Sequence, residues 1–270
     1  MSKNTSDKKK NLYHYYEQIP IIKNKLGMIN LKFNKKIDTV DLPNISIVTI
    51  TRDRLNFWKA GLPIFNFENI DYPKEKIEWV IIDDSKSTEL KKLIPNDSRI
   101  RYVYINKEKD IPLKISFKRN VAVKYTKYNY IIHMDDDDYY PKDSVKNRVM
   151  ALLDKNKKCV GSSIIPVYNL RNKVSYILTE NRQYLLEGTL CYTKQFWNEN
   201  KFNYLDNINE GLHFLNNRYN DIIEIPGISI MYCFIHGNNY RFEAKKENFN
   251  KKFSYEKSFP KKLIDILKII

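Results

Sequence analysis

Short apolar runs alternate with polar loops and helical stretches through the first 155 residues. Four runs have the length and the β-branched or aromatic content of buried strands, and each is followed by polar residues; they are 45–50, 77–82, 100–105 and 130–134. Helical stretches are predicted at 55–65, around 88–90, at 116–125 and at 142–155. This alternation predicts an α/β fold with a mainly parallel sheet, whose ligand crevice is formed by loops at the carboxyl ends of the strands.

The remainder of the chain has shorter and less regular patterns. Residues 159–178 are rich in strand-forming residues, 207–217 are predicted to be a helix with Glu210 in its first turn, and 222–225 and 228–234 are predicted strands. Residues 259–270 place apolar side chains at helical spacing. Such a helix could dock on the domain, pair with another subunit or lie on a membrane surface. We expect packing within the chain, because amphipathic helices mostly face a core.

The two ends are polar and basic, which divides the chain into three regions. We predict a basic N-terminal extension at 1–43, one catalytic domain at 44–240, and a basic C-terminal tail with the amphipathic helix at 241–270. A chain of 270 residues with 42% hydrophobic content is long enough to bury one large core. The expectation is therefore a single domain with N- and C-terminal extensions.

Composition limits the class of protein. Lys and Arg outnumber Asp and Glu by 47 to 32, and a net charge of +15 would attract nucleic acid, phosphosugars or an anionic membrane. No nucleic-acid-binding motif accompanies the charge, so we predict no nucleic-acid partner. The three cysteines are far apart and lack a Cys-x-x-Cys pair, which indicates reduced core thiols rather than a zinc site or disulfides. No signal peptide or run of about 20 apolar residues is evident, which predicts a cytoplasmic protein.

Four consecutive acids, Asp135 to Asp138, directly follow the fourth predicted strand. Adjacent carboxylates repel one another and are strongly hydrated, so they need a compensating cation or a fully solvated turn. The run alone leaves both interpretations open. Polar residues also follow the first two strands, at 51–54 and 83–85. Because these loops are predicted to converge with the acids at one edge of the sheet, a metal site is favoured.

A series of segments, in order along the chain, resembles glycosyltransferase family 2, whose members have the GT-A fold and use nucleotide sugars. The segments are 45–53, 80–85, Lys118-Arg119-Asn120, 133–141, 187–190, 209–211 and 236–239. The resemblance covers about residues 45–240. It implies a Rossmann-like, mixed but mainly parallel central sheet flanked by helices.

The resemblance also implies roles for individual residues. It assigns the nucleotide site to Thr49, Thr51, Arg52, Asp53, Asp83, Asp84, Arg119, Asp135 and Asp136. Within the family's Asp-x-Asp pattern, Asp137 would bind a divalent ion directly and Asp135 would reach the ribose or a metal-bound water. Asp136 occupies the variable place and is expected to tolerate alanine, while His236 would be a third metal ligand or a diphosphate contact.

The implied chemistry is transfer of a sugar from a UDP-sugar to a hydroxyl acceptor, with inversion. Oxygen ligands with phosphate partners suit Mn²⁺ or Mg²⁺, which would neutralise the charge that develops on the leaving diphosphate. Glu210 would remove the acceptor proton. The chain departs from the family where a second acid usually follows, because position 211 is glycine; Asp206 is the reserve base.

Other interpretations remain open at this point. Gly211 motivates a catalytically silent module that binds nucleotide sugars or glycans. A nucleotidyltransferase would require an early glycine-rich phosphate loop, and 49–54 contains no glycine. Structural roles are also available: helix caps for Asp83 and Asp84, a surface charge for Arg119, a favourable first-turn acid for Glu210 and a packed side chain for His236.

Overall fold

The apolar runs form the centre of a seven-stranded sheet. The computed structural model describes residues 21–23, 29–31, 33, 41–107, 110–179, 185–203, 210–237 and 255–270. The strands in these residues are β1 (Ile21–Lys23), β2 (Ile29–Leu31), β3 (Ile45–Thr51), β4 (Ile77–Asp83), β5 (Ile100–Tyr104), β6 (Tyr130–His133), β7 (Cys159–Gly161), β8 (Ile164–Asn169), β9 (Ser175–Thr179), β10 (Cys191–Thr193), β11 (Ile222–Glu224) and β12 (Cys233–Ile235). The α-helices are α1 (Leu55–Ala60), α2 (Leu62–Glu68), α3 (Ile115–Tyr125), α4 (Ser144–Lys155), α5 (Lys194–Glu199), α6 (Glu210–Leu215) and α7 (Lys261–Leu267).

The central sheet has the strand order β11-β7-β10-β6-β3-β4-β5. Its strands run in one direction except β10, which is antiparallel to both β6 and β7. All seven residues of β4 are buried, as expected for a strand covered on both faces. The prediction of a mixed, mainly parallel sheet is confirmed.

Helices cover both faces of this sheet because alternate strand residues point to opposite sides. Ile47, Trp79 and Ile81 share one buried cluster with side chains of α1 and α2. Val48, Val80 and Ile82 share the other with side chains of α3. The chain leaves β3 toward β4 on one side, while β6 pairs with β3 on the other. Such a reversal of strand order opens a crevice at the carboxyl ends of the strands.

Some boundaries differ from the sequence prediction. Residues 55–65 form parts of two helices, because Gly61 adopts a left-handed backbone (φ 86°) and its N–H caps α1 on the carbonyls of Phe57 and Trp58. The prediction of a strand from residue 228 was wrong: Gly227–Ser229 is a 3₁₀ turn, and the extended segment is the short β12. The predicted helix near residue 88 is a 3₁₀ helix, Glu89–Leu93.

The ends of the described chain pack on the domain. Helix α7 buries Leu263, Ile266 and Leu267 in a cluster with aromatic residues of α1 and α2, which confirms the expected packing within the chain. Near the start, Leu31 and Phe33 pack against the main core. No helix in the residues set out above is long and apolar enough to cross a membrane.

A second sheet of three strands, β12-β8-β9, lies beside the acidic run. Tyr139, which follows the four acids, pairs with Tyr232 through two backbone hydrogen bonds of 3.0 and 2.8 Å. This bridge joins the turn after β6 to the segment that leads into β12. All three cysteines are free and buried, which confirms their predicted place in the core.

Candidate active site

The acidic run after β6 alternates between part-exposed and buried carboxylates. The side chains of Asp135 and Asp137 are 27% and 15% exposed, whereas Asp136 and Asp138 are 4% and 5% exposed as residues. The Asp138 carboxylate accepts a hydrogen bond from Phe234 N at 2.8 Å and so fastens the turn to β12. Burial raises the pKa of Asp138 well above its ordinary value.

Asp136 turns back toward the first loop. Its carboxylate accepts hydrogen bonds from the hydroxyl of Thr51 and, at 3.3 Å, from the indole of Trp58. Burial, reinforced by the charge of Asp137, raises the pKa of Asp136 to about 7. These contacts join the loop after β3 to the loop after β6, so two of the sequence-predicted site residues, Thr51 and Asp136, lie together.

Asp137 lies between two groups that can carry positive charge. Its Oδ2 atom is 3.0 Å from His236 Nε2 and 3.2 Å from Arg54 Nη2. Burial opposes ionisation, but His236 and Arg54 hold the pKa of Asp137 below its ordinary value. His236 also packs edge-on against Phe57, with ring centroids 4.7 Å apart. The structure thus brings together the predicted pair of Asp137 and His236, and it adds Arg54, whose only sequence signal was its place in a polar loop after a strand.

Arg119 of α3 points into the site. Its Nε atom is 3.2 Å from Glu210 Oε1, and its Nη1 atom is 3.6 Å from Asp135 Oδ1 and 2.6 Å from His133 Nδ1. Burial acts to lower the pKa of Arg119, but Asp135, Glu210 and Glu187 raise it above its ordinary value. Arg119 therefore stays charged and joins α3, the acidic run and α6, rather than lying on the surface.

His133 is a buried hydrogen-bond partner of Arg119. Burial, Arg119 and Arg148 lower the pKa of His133 well below its ordinary value, so its ring is neutral. Since Nδ1 accepts from Arg119, the proton lies on Nε2, which donates to the Tyr192 hydroxyl at 2.8 Å. Sequence reasoning missed His133 as a partner of Arg119.

The short turn Glu187–Thr189 packs closely against the acidic run. A Cβ atom added to Gly188 would lie 2.7 Å from Asp135 Oδ2. The hydroxyl of Tyr140 accepts from Asp135 N at 2.9 Å and donates to the carbonyl of Gly188 at 3.1 Å. Only glycine leaves room for this approach, so the turn fixes the position of Asp135.

Asp84, at the end of β4, is a buried acceptor for several donors. Lys118 Nζ lies 2.7 Å from one oxygen; Arg52 Nη1, Lys107 Nζ and Leu113 N lie 3.1, 3.2 and 2.9 Å from the other. Burial opposes ionisation, yet these partners hold the pKa of Asp84 below its ordinary value. The carboxylate therefore holds together the loop after β3, the loop after β5 and α3.

The neighbouring Asp83 has a similar role within the sheet. It accepts hydrogen bonds from Ser85 N at 2.8 Å and from the Tyr102 hydroxyl at 2.6 Å. Asp53 has a positive φ of 52°, and its N–H donates to Ser85 Oγ at 2.8 Å. A cleft of about 210 Å³ opens here, lined by Asp53, Arg54, Leu55, Ser85, Ser87 and Leu90.

Thr49 is set back from the cleft. It is 1% exposed, and its hydroxyl donates to the carbonyl of Met134 at 2.6 Å and accepts from Trp79 Nε1 at 2.8 Å. These contacts hold β3 to its neighbours in the sheet. Asp206, Asn238 and Asn239 lie outside the described residues.

The donor set can be compared with what a divalent ion requires. In the described ranges, no three His, Cys, Asp or Glu side chains are grouped closely enough to enclose an ion. Mg²⁺ and similar ions at phosphate sites, however, use one or two carboxylates together with waters and substrate phosphates. The part-exposed carboxylates of Asp135 and Asp137, with the imidazole of His236 beside Asp137, are of the kind that such an open site uses.

Comparisons with known proteins identify the fold and the family. The structure of Staphylococcus aureus TarS residues 1–349 is similar, with a TM-score of 0.55, 17% identity, and coverage of 71% of this chain and 60% of that one. The mannosyltransferase PcManGT from Pyrobaculum calidifontis has a TM-score of 0.59, 14% identity, and coverage of 77% and 62%. This chain thus spans about 60% of the length of these structures. A sequence search of curated proteins gave no match.

The likeness to these solved structures shows the GT-A fold. A family model described as glycosyl transferase family 2 matches residues 66–214, which is more than half of the chain. The matched part runs from α2 to α6 and so includes the acidic run, Arg119 and Glu210. The chain therefore belongs to glycosyl transferase family 2.

Proposed function

We propose that this glycosyltransferase moves a sugar from a UDP-sugar to a hydroxyl group of a glycan, protein or lipid-linked acceptor, with a divalent ion and inversion at the anomeric carbon. The observation that supports this most directly is the convergence of Asp135, Asp137, Arg119 and Glu210 at the carboxyl edge of the sheet. The domain responsible is 44–240. Structures of TarS are described in complex with UDP and UDP-GlcNAc, and PcManGT in complex with GDP-Man and Mn²⁺.

The nucleotide would lie over the loops that follow β3 and β4. The cleft beside Asp53 is lined by Arg54 and Ser85 among others, and the ion pair of Arg52 with the buried Asp84 supports the loops that form it. Asp53 and Ser85 carry the polar groups of this cleft that could bind the base, and Thr51 and Asp136 fix the loop that would face the ribose. The TarS complexes with UDP and UDP-GlcNAc support UDP as the nucleotide.

The diphosphate would lie against the acidic run. When bound, Mn²⁺ or Mg²⁺ supplies a Lewis acid that neutralises the charge of the leaving diphosphate. Asp137 would hold this ion, with Asp135 and His236 beside it. Arg54, 3.2 Å from Asp137, keeps a further positive charge at the place where negative charge develops.

The acceptor would approach from the side of α6. Glu210 would take the proton of the acceptor hydroxyl, which contributes about 10²–10⁴ in rate. Its contact with Arg119, at 3.2 Å, fixes the direction of the carboxylate. Attack from the face opposite the diphosphate would invert the anomeric carbon.

A donor screen followed by one substitution tests the proposal. Thermal melting is measured with UDP-, GDP-, CMP- and dTDP-sugars, with and without Mn²⁺, because a bound ligand raises the melting temperature. We expect the largest shift with a UDP-sugar and Mn²⁺, and Mn²⁺-dependent release of UDP from that donor. Asp137→Ala should abolish this release and weaken Mn²⁺ binding, whereas Asp41→Ala, an exposed aspartate remote from the acids in sequence, should change neither.

Two results would contradict the proposal. Unchanged turnover in Asp137→Ala would refute the metal role. Tight UDP binding by the unaltered protein, without turnover across a broad panel of acceptors, would favour the alternative of a silent binding module, which the glycine at position 211 motivates.

A further inference from the structure

Glu187 occupies the space beside Gly211. Its Oε1 atom accepts a hydrogen bond from Gly211 N at 3.0 Å, and the residue is 7% exposed. A Cβ atom added to Gly211 would lie 2.9 Å from Glu187 Oε1, 3.1 Å from its Cγ and 3.2 Å from its Cδ. A side chain at position 211 would therefore require the Glu187 carboxylate to move from its present position.

The Glu187 carboxylate belongs to the same charge cluster as the proposed base. Gly211 follows Glu210 directly, and Glu210 lies 3.2 Å from Arg119. Glu187 is among the carboxylates that raise the pKa of Arg119 against the effect of burial. A Cβ atom added to its neighbour Gly188 would meet the Asp135 carboxylate. Glu210, in contact with Arg119, and Glu187, whose charge acts on it, thus both stabilise one buried guanidinium.

We propose that Glu187 is the second carboxylate of the acceptor side, a positioning residue that works with Glu210 and takes the place of an acid at position 211. The inference rests on the proposed glycosyl transfer. In that reaction the acceptor oxygen bonds to the anomeric carbon while the carbon–oxygen bond to the diphosphate breaks, with its electron pair going to the diphosphate. The acceptor proton passes to Glu210.

Glu187 assists this step in two ways. Its hydrogen bond to Gly211 N fixes the first turn of α6, which carries Glu210. Its negative charge also offsets part of the Arg119 charge, which weakens the attraction of Arg119 for the Glu210 carboxylate. A substitution that removes the Glu187 charge but keeps its hydrogen bond to Gly211 N separates these two effects.

The test uses two variants. In Glu187→Gln, the amide oxygen still accepts a hydrogen bond from Gly211 N. In the exchange variant, Glu187→Ala is combined with Gly211→Asp, so that the acid is at position 211 rather than 187. UDP release from UDP-glucose, UDP-galactose and UDP-N-acetylglucosamine is measured with Mn²⁺ and water as acceptor, and UDP affinity is measured by calorimetry. We expect Glu187→Gln to lower kcat about 100-fold with unchanged KM and unchanged UDP affinity. The kcat of the exchange variant should be about tenfold higher than that of Glu187→Ala alone.

Controls distinguish the inference from the proposal on which it rests. Glu75→Gln, at an exposed glutamate, should match the unaltered protein. If Glu187→Gln fails to fold, Gly211→Ala replaces it, because the new Cβ displaces the carboxylate without a change of charge and should also lower kcat. A kcat for Glu187→Gln within twofold of the unaltered protein, or an exchange variant no better than Glu187→Ala, overturns the inference alone. If the unaltered protein shows neither UDP binding nor turnover, the proposed function and the inference are overturned together.

Discussion

Replacing Asp84 by asparagine removes the charge that balances a buried lysine. Asp84 is fully buried, and the side chain of Lys118, 2.7 Å away, is 6% exposed. Arg52 and Lys107 also contact Asp84, but their side chains are 16% and 13% exposed and retain more access to water. In Asp84→Asn, the main cost is therefore the uncompensated ammonium of Lys118.

The magnitude follows from this geometry. Removing one partner of a buried ion pair costs about 3–5 kcal/mol, because the remaining charge keeps its desolvation penalty and loses its attraction. We expect the free energy of unfolding at pH 7, measured by urea denaturation, to fall by about that amount. The folded-state pKa of Asp84 is lowered, so this stability is present above the unfolded-state value of about 4 and is lost as the pH falls through the lower folded-state pKa.

A second substitution tests whether the Lys118 ammonium is the source of this cost. Lys118→Met removes the buried ammonium but keeps most of the side-chain volume, so Asp84→Asn with Lys118→Met should be markedly more stable than Asp84→Asn alone. Asp110→Asn is the matched control, because Asp110 also pairs with Arg52 but is 49% exposed; it should leave the free energy of unfolding close to that of the unaltered protein. A cost below about 1 kcal/mol for Asp84→Asn, or no recovery in the double variant, would show that the lysine is not the main source of the penalty.

Two further substitutions test separate parts of the structure. Asp136→Ala should lower the free energy of unfolding by about 1–3 kcal/mol, because Thr51 and Trp58 lose the carboxylate that accepts their hydrogen bonds. It should reduce donor turnover less than Asp137→Ala does. Equal loss of turnover in the two variants would mean that the Asp-x-Asp register is displaced by one residue. Leu263→Ala in α7 should cost about 2–5 kcal/mol in urea denaturation, whereas Ile269→Ala, at a side chain 70% exposed, should stay within about 0.5 kcal/mol; equal costs would contradict the docking of α7 on the core.

The sheet was predictable from the sequence because its signals are local. The strands β3, β4 and β6 are mostly apolar, mostly buried runs that are followed by polar residues, as burial on both faces requires, whereas β5 at the sheet edge is only half-buried. The break at Gly61 was missed because apolar periodicity continues across it, while the left-handed backbone depends on one residue. The strand predicted at 228–234 began too early, because the residues in and after the 3₁₀ turn Gly227–Ser229 include apolar ones that are equally typical of a strand.

The partners within the site were less predictable, because they depend on side chains far apart in sequence. Arg54 and Asp137 are 83 positions apart, and their contact depends on how the loops after β3 and β6 lie beside each other. Glu187 could have been noticed in the segment that resembles the family, but its relation to Gly211 requires the missing Cβ to be located in space. Sequence order identified which loops meet; it did not identify which charges pair.

The alternating burial of the acidic run supplies a physical reason for the Asp-x-Asp register. Four adjacent carboxylates facing one cleft would concentrate negative charge that a single divalent ion could not offset. Here the second and fourth turn inward, to hydrogen bonds from Thr51 and Trp58 and from Phe234, while Asp135 and Asp137 remain beside Arg119 and Arg54. Each part-exposed acid thus has its own arginine. Every carboxylate of the run therefore has a partner within the protein, and in the proposed reaction an ion or diphosphate would shift this balance between carboxylates and arginines.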